Sequence, residues 1–515
     1  MPELTIKPTF IKQLTGDPET ENYPRPVAEF FTYVHPAHPG DPTLHHHISE
    51  LSDELRLDSN DSSFLDYVSG LSALPDYRPW AMNYAGHQFG NWAGQLGDGR
   101  AINIAELEGK TQFWTVQLKG AGLTPYSRGA DGKAVLRSSI REYLCAEAMH
   151  HLGIPTTRSL ALVTTGDKVL RDVLNDGHPA HEPGAIVTRA AESFIRFGNF
   201  ELFASRGDKE RLQELLDFTI TTHFPNLTNC SDNVYLALYE EVVNRTIELM
   251  VEWERVGFVH GVMNTDNMSI LGLTIDYGPY GWLDAFDPDW TPNTTDNQFR
   301  RYRFGNQSDI AYWNLRQLGR ALALAIGDAD SVQTTLHKYH ERFATDRETM
   351  YRNKLGLETT QDTDAELIAS VLTLLEEQPL DMTRFWRHLS QFDETSPGNH
   401  LSLITDDAYT VVSETDKTKW LDWLDTYAAR LRTEAISQSE RAALMNKVNP
   451  KYVFRNYIAS QVIEAAENDD YTLFRTVYEL LKHPYDEQTE HEIWFQKQPA
   501  WARDRIGCSQ LSCSS

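Results

Sequence analysis

Cysteine is scarce in this chain: Cys145, Cys230, Cys508 and Cys513 are the only four among 515 residues. So few thiols in so long a chain exclude a disulfide scaffold and set a reducing environment as the expectation, with the pair near the end as a possible exception. Long apolar runs are missing too. No stretch approaches the ~18 residues a bilayer span needs, and mean hydropathy is −0.47. Positive charge is short, with 47 Lys+Arg against 74 Asp+Glu, a formal net charge of −27 and a pI near 5.0. That balance argues against a general nucleic-acid binder and against docking on anionic membranes, since both recruit basic surfaces. Residues 1–10 lack the charged-then-apolar pattern of a signal peptide and the Arg/Ser-rich pattern of a transit peptide, so a cytoplasmic setting is expected.

What is present suffices for a sizeable core: 41% hydrophobic and 11% aromatic residues. At ~100–200 residues per domain, the length allows two to four domain-sized units or one large bilobal enzyme. No repeat of fixed period is present. Residues 1–75, rich in Pro, His, Asp and Ser, read as an irregular entry segment with a short helix at 48–56. Consecutive His45, His46 and His47 cannot all enter one tetrahedral metal site and read as a solvated loop.

From 76 to 200, Gly-rich turns alternate with strand-like runs at 113–119, 159–164 and 184–189. Between them a helix is expected over 134–152. Leu136, Ile140, Leu144, Ala148 and Leu152 form its apolar stripe, and Gly153 and Pro155 stop it. Residues 201–350 read as helical except for a Gly/Asp/Asn-rich break at 257–308. Residues 363–485 are again helical, and 501–515 read as a polar tail. The expected fold class is α+β: a β-rich front and a helical back, as two lobes with a cleft between them.

Four groups of residues can carry chemistry. In Gln95-Leu96-Gly97-Asp98-Gly99-Arg100, two glycines permit a tight turn whose N–H groups can cradle phosphate, with Arg100 as a bidentate partner. Taken alone, the turn is explained at least as well by a hairpin. Residues 113–119 read as a strand ending in Lys119, followed by a helix carrying Glu142. Gly-rich turn, strand lysine and helix glutamate is the order at the front of a protein kinase, where the lysine grips ATP phosphates. A solvated lysine and a surface glutamate are the plain alternative.

The third group, His260 to Asn267 followed by Ile275-Asp276-Tyr277-Gly278-Pro279, is the most informative. Asn267 and Asp276 are hard oxygen ligands suited to a divalent cation on nucleotide phosphates, and Asp-Tyr-Gly is similar to the kinase Asp-Phe-Gly. Aligned on the kinase loop His-Arg-Asp-Leu-x-x-x-Asn, however, Val262 occupies the place of the catalytic aspartate. Asp266 is then the one carboxylate in the loop able to take a proton from a hydroxyl. The fourth group is Arg189 and Arg196, either anchors for phosphate charge or partners in surface salt bridges.

Together these stretches closely resemble the selenoprotein O (SelO, YdiU) family. The resemblance rests on residues 84–90, 95–101, 118–144, 260–279, 449–456 and the terminal Cys513-Ser514-Ser515. It implies a protein-kinase-like (pseudokinase) fold and a helical C-terminal extension. It also implies ATP bound in reversed orientation and transfer of AMP to Ser, Thr or Tyr hydroxyls of proteins, with self-modification as a side reaction. UMP transfer with manganese is associated with bacterial relatives, and eukaryotic relatives are mitochondrial. Carried over by motif, Gly97, Gly99, Arg100, Asp131 and Gly132 contact the nucleotide. Lys119, steered by Glu142, binds phosphate together with Arg189 and Arg196. Asp266 is the proton acceptor, and Asn267 and Asp276 hold Mg²⁺ or Mn²⁺. The implied division is an extension at 1–75, a nucleotide-binding lobe at 76–200, a catalytic lobe at 201–350, a helical region at 351–500 and a cysteine-containing tail at 501–515. Some members carry selenocysteine before the final Ser-Ser, where this chain has Cys513. The cysteine found in some relatives in the loop after Asp-Tyr-Gly is absent from 280–307 here, which leaves Cys508 and Cys513 to pair with each other or to stay free. A γ-phosphate kinase and an inert nucleotide-binding scaffold are the competing readings.

Overall fold

The computed structural model describes residues 4–172, 177–229, 233–503, 505, 507, 508, 511 and 512. Cys230 and Cys513, and with the latter any Cys508–Cys513 pairing, lie outside them.

The architecture is mixed α+β. A nine-stranded sheet runs in the order Gly16–Asp17, Phe31–Tyr33, Trp80–Met82, Ala101–Glu108, Phe113–Lys119, Ala180–Ala191, Arg158–Arg171, Thr43–His47, with Ala134–Val135 pairing onto Ala180–Ala191. Neighbours are antiparallel except the first two strands. Phe113–Lys119, rich in aromatic and β-branched residues, lies at the centre and is buried along nearly its whole length. Its register sets Lys119 opposite both Ala101 and Val187, and Gln117 opposite Arg189. The Gly-rich turn, the strand lysine and Arg189 therefore converge at one end of the sheet.

The central helix spans Leu136–His151, and Gly153 follows it in the left-handed region at φ 78°. Residues 134 and 135, expected to be helical, form a short strand instead. All five residues of the apolar stripe are buried, but so are Arg141, Glu142 and Glu147. The second covered face has a distant cause: helices Asn456–Glu467 and Thr472–Leu481 return to pack on the side away from the sheet.

Residues 201–350 contain the long helices Val234–Val256, capped by Asn233 and ended by Gly257, and Gln307–Ile326. Between them the chain is irregular. It holds a one-turn helix at Thr265–Asn267 and the two-residue strands Phe258–Val259 and Gly281–Trp282, which pair with each other. Two large apolar clusters fill the interior. One joins the sheet to the central and last helices, from Phe10 to Cys508. The other lies among later helices, centred on Trp386, Trp420 and Tyr427.

Three expectations need correction. Within residues 1–75 the chain is not irregular: three strands of the sheet come from it, each too short to show an apolar period. His45–His47 are not a solvated loop but part of the strand Thr43–His47, where His45 bonds Thr164 and stacks on Tyr471, and His46 bonds Tyr143. The tail is not simply polar and solvated. Leu511 is buried and pairs with the segment after Asp276, donating to the Pro292 carbonyl and accepting from Thr294 N, while Asn456 Nδ2 donates to the Cys508 carbonyl.

Candidate active site

A cleft of about 780 Å³ opens where the sheet meets the irregular 257–306 segment. Its walls hold Gly97, Gly99, Arg100, Lys119, Asp131, Gly132, Arg189, Asp266, Asn267 and Asp276, ten of the twelve residues singled out from sequence. The other two, Glu142 and Arg196, stand directly behind it.

The Gly-rich turn is shaped by contact. Gly97 has φ 83°, and a Cβ there would come within 2.3 Å of the Tyr126 ring. Asp98 between the glycines is buried and points inward, accepting from Met82 N, Asn103 and Gln117, and burial raises its pKa. It is a brace for the turn, leaving the Arg100 side chain exposed and without a hydrogen-bond or ion-pair partner among the described residues. On the opposite wall Gly132 has φ 68°, and a Cβ would sit 2.1 Å from the Gly122 carbonyl oxygen. Beside it, Asp131 pairs with Arg171 at 2.7 Å.

The inner end is a buried charge network. Lys119 Nζ lies 2.5 Å from Glu142 Oε2 and 3.4 Å from Asp276 Oδ1. Arg189 donates to Gln117 Oε1 at 2.8 Å, to Glu142 Oε1 at 2.8 Å and to Asp276 Oδ1 at 2.7 Å. Arg196 donates to Asp276 Oδ2 and to the Asp266 carbonyl, and its guanidinium lies over the Tyr84 ring. Three cations thus contact two carboxylates directly, while Asp98 and Asp266 also act on Arg196 from a greater distance. Burial alone would raise the Asp276 pKa, but Arg196, Arg189 and Lys119 outweigh it and hold the carboxyl well below its usual range. Burial pulls the Lys119 ammonium down, and Glu142 and Asp276 oppose it. Arg189 and Arg196 are 2% and 1% exposed, which rules out the surface salt bridges weighed for them. Arg196 props Asp276 from behind, with one nitrogen, Nη2, left without a partner.

The Asp266 loop is pinned from several sides. His260 Nε2 donates to the Ile275 carbonyl and its Nδ1 accepts from Val262 N, joining the loop to the Asp276 segment. Asn264 Oδ1 accepts from Phe89 N and Tyr302 Oη. Asp266 Oδ2 accepts from Gln88 Nε2 at 3.1 Å, while buried Oδ1 has no partner. Its pKa is pushed up to about 6, chiefly by burial, against the Gln88 hydrogen bond and the Arg196 charge. An aspartate of this kind can accept a proton near neutral pH.

Among the described residues no three His, Cys, Asp or Glu side chains converge on a metal position. Asn267 donates through Nδ2 to the Val262 carbonyl at 2.8 Å, leaving Oδ1 as its acceptor on the same cleft as the Asp276 carboxylate. Two hard oxygens completed by water and phosphate suit Mg²⁺ or Mn²⁺, so the donor set fits such an ion.

A family model described as protein adenylyltransferase SelO matches residues 17–482. The chain belongs to the SelO family. It is an enzyme of the nucleotidyltransferase class. It is 49% identical to the protein nucleotidyltransferase YdiU of Flavobacterium johnsoniae over 100% of both chains. To the proteins of the same name from Azoarcus sp. (strain BH72) and Xanthomonas campestris pv. campestris (strain B100) it is 49% and 50% identical, over 100% and 98% of both chains.

Several residues of this SelO-family site escaped sequence reasoning. Gln88 and Gln117 have uncharged side chains that announce no chemistry, yet one holds Asp266 and the other holds Arg189. Tyr84, beneath Arg196, and Gln88 were visible only inside a block shared with the family. Arg128 and Ser138 also line the cleft and likewise were visible only inside a shared block, residues 118–144.

Proposed function

We propose that this chain is a protein adenylyltransferase that moves AMP from ATP to Ser, Thr or Tyr hydroxyls of proteins, itself included. ATP lies in reversed orientation in a two-lobed, protein-kinase-like fold. The observation that carries the reading is the placement of carboxylates: Val262 stands where a kinase has its catalytic aspartate, while Asp266 belongs to the cleft wall and has one buried oxygen, Oδ1, without a partner. Family membership supports ATP as the nucleotide and proteins as acceptors.

In this reading Gly97, Gly99, Arg100, Asp131 and Gly132 contact the nucleotide. Lys119, held by Glu142, binds phosphate with Arg189 and Arg196. The acceptor hydroxyl oxygen bonds to the α-phosphorus, its proton passes to Asp266 Oδ1, and the bond from α-phosphorus to the bridging oxygen breaks to release pyrophosphate. Positioning and charge neutralisation supply most of the rate in phosphorus transfer, and base help is modest. Asn267 and Asp276 hold Mg²⁺ or Mn²⁺, which when bound neutralises phosphate charge. UTP with manganese is the alternative donor. The lobes comprise residues 76–200 and 201–350, preceded by 1–75 and followed by the helical region 351–500 and the tail 501–515.

Intact mass of the protein and an acceptor after incubation with ATP and Mg²⁺ or Mn²⁺ tests the reading. An added AMP is expected. An added phosphate points to a kinase, and no adduct despite nucleotide binding points to a scaffold.

A further inference from the structure

A second surface begins at Asp266 and runs outward. The hairpin of Ala85–Gln88 and Asn91–Gln95 sits on the Asp266 loop: His87 N donates to Thr265 Oγ1 at 2.7 Å, and a Cβ on Gly86 would come 3.0 Å from Asp266 Oδ1. On its outer side the His87 ring meets Trp92 edge-on at 5.0 Å and Trp313 at 5.4 Å, with Nδ1 2.6 Å from Glu201 Oε1. The Arg301 guanidinium lies 4.8 Å from the Trp313 ring centroid. Trp313 belongs to the helix Gln307–Ile326, where positions three and seven further on share its face. Those positions are Arg316 and Arg320, both exposed, and Trp92 is 43% exposed.

The charge here runs against the rest of the molecule. In a chain with net charge −27, the side chains of Arg301, Arg316 and Arg320 form no ion pair among the described residues, Arg301 meeting the Asp296 carboxylate through its backbone N alone, although most arginines elsewhere are ion-paired. Glu201 is taken by His87, and Asp309, one turn before Trp313, pairs with none of the three. Exposed tryptophan with unpaired arginine is the composition of protein recognition surfaces, and unneutralised charge of one sign selects partners of the other.

We infer that the face formed by Trp92, His87, Trp313, Arg301, Arg316 and Arg320 docks the acceptor protein, and that it takes a segment with acidic residues beside the hydroxyl. The inference rests on the protein-nucleotidylation reading. A hydroxyl approaching Asp266 passes the hairpin that carries Trp92, so the residues flanking it lie against this face. Without it, the net charge of the molecule repels an acidic partner. With it, attraction is confined to the approach to Asp266.

Two synthetic peptides test this, each with one threonine, flanked by glutamates in one and by lysines in the other. Wild-type protein is expected to label the glutamate peptide from α-³²P-ATP with a kcat/KM about 10-fold higher or more. The double variant Arg301→Glu, Arg316→Glu is expected to lose or reverse that ratio, and Arg301→Lys, Arg316→Lys to keep it. The ratio is read on one preparation, so partial loss of folded protein does not alter it. Equal labelling of both peptides by wild type, a ratio unchanged in the glutamate variant, or labelling of neither peptide by a protein that labels itself overturns the docking proposal. Absence of any α-label overturns the nucleotidylation reading instead.

Discussion

Gln88 and Asp266 meet across 178 positions of sequence: the Gln88 side-chain amide donates to Asp266 Oδ2 at 3.1 Å, and buried Oδ1 has no partner. The contact decides which oxygen of the carboxylate is available. Gln88→Leu is therefore expected to lower kcat by about 10- to 100-fold, the usual cost of losing an orienting partner. The KM for ATP should stay nearly constant, and Gln88→Asn should restore part of the loss. Steady-state kinetics with a saturating acceptor reads the split. A KM effect alone would contradict the positioning role.

Asp276 is the electrostatic centre of the network, facing Lys119, Arg189 and Arg196 together. Replacing it by asparagine leaves Glu142 as the one carboxylate still ion-paired with any of the three, and Arg196 with no ion pair among the described residues. Asp276→Asn should abolish transfer and lower stability by about 3 kcal/mol, the range for breaking a buried ion pair. Denaturant unfolding and nucleotide titration check the two halves separately.

Gly132 cannot carry a side chain where it is, because its φ is 68° and a Cβ would overlap the Gly122 carbonyl. Gly132→Ala should cost about 1–3 kcal/mol in stability and raise the KM for ATP, since the backbone must move away from the cleft. A melting curve with and without ATP measures both. Unchanged values would mean that the loop relaxes freely.

Asp284 lies outside the catalytic cleft and lines a separate cavity with Tyr409 and Cys508. Burial, with a contribution from Asp381 and against Arg455, raises its pKa to about 7. In the unfolded chain a carboxyl titrates near ~4. The folded value is the higher one, so the stabilisation from Asp284 is complete below pH ~4 and is lost as the pH rises to about 7. Asp284→Asn should flatten that part of the stability–pH curve, measured by denaturant midpoints across the range. Identical slopes in both proteins would count against the shifted carboxyl.

How far the site could be read from sequence depended on how local each relationship is. The turn at Gly97–Gly99, the strand ending in Lys119 and the 260–279 segment are contiguous motifs, and their order along the chain was enough to bring them together. Arg189 and Arg196 carry no local sign of their role, because the carboxylate that defines it, Asp276, lies 87 and 80 positions away. A surface position for Glu142 stayed open for the same kind of reason: helical periodicity shows one apolar stripe, and nothing in residues 136–151 reveals that helices at 456–481 will cover the other side. Strands of two and three residues, such as Gly16–Asp17 and Phe31–Tyr33, are too short to show alternation and are held by the sheet they join.

In the proposed reaction the α-phosphorus of ATP is the site of attack and Asp266 accepts the proton. The most direct measurement is paired incubation with α-³²P-ATP and γ-³²P-ATP, using wild-type protein and Asp266→Asn. Protein-bound label is expected from the α position alone, reduced about 100-fold or more by the substitution, with nucleotide binding retained. Label from the γ position, or α-label undiminished in Asp266→Asn, would contradict it.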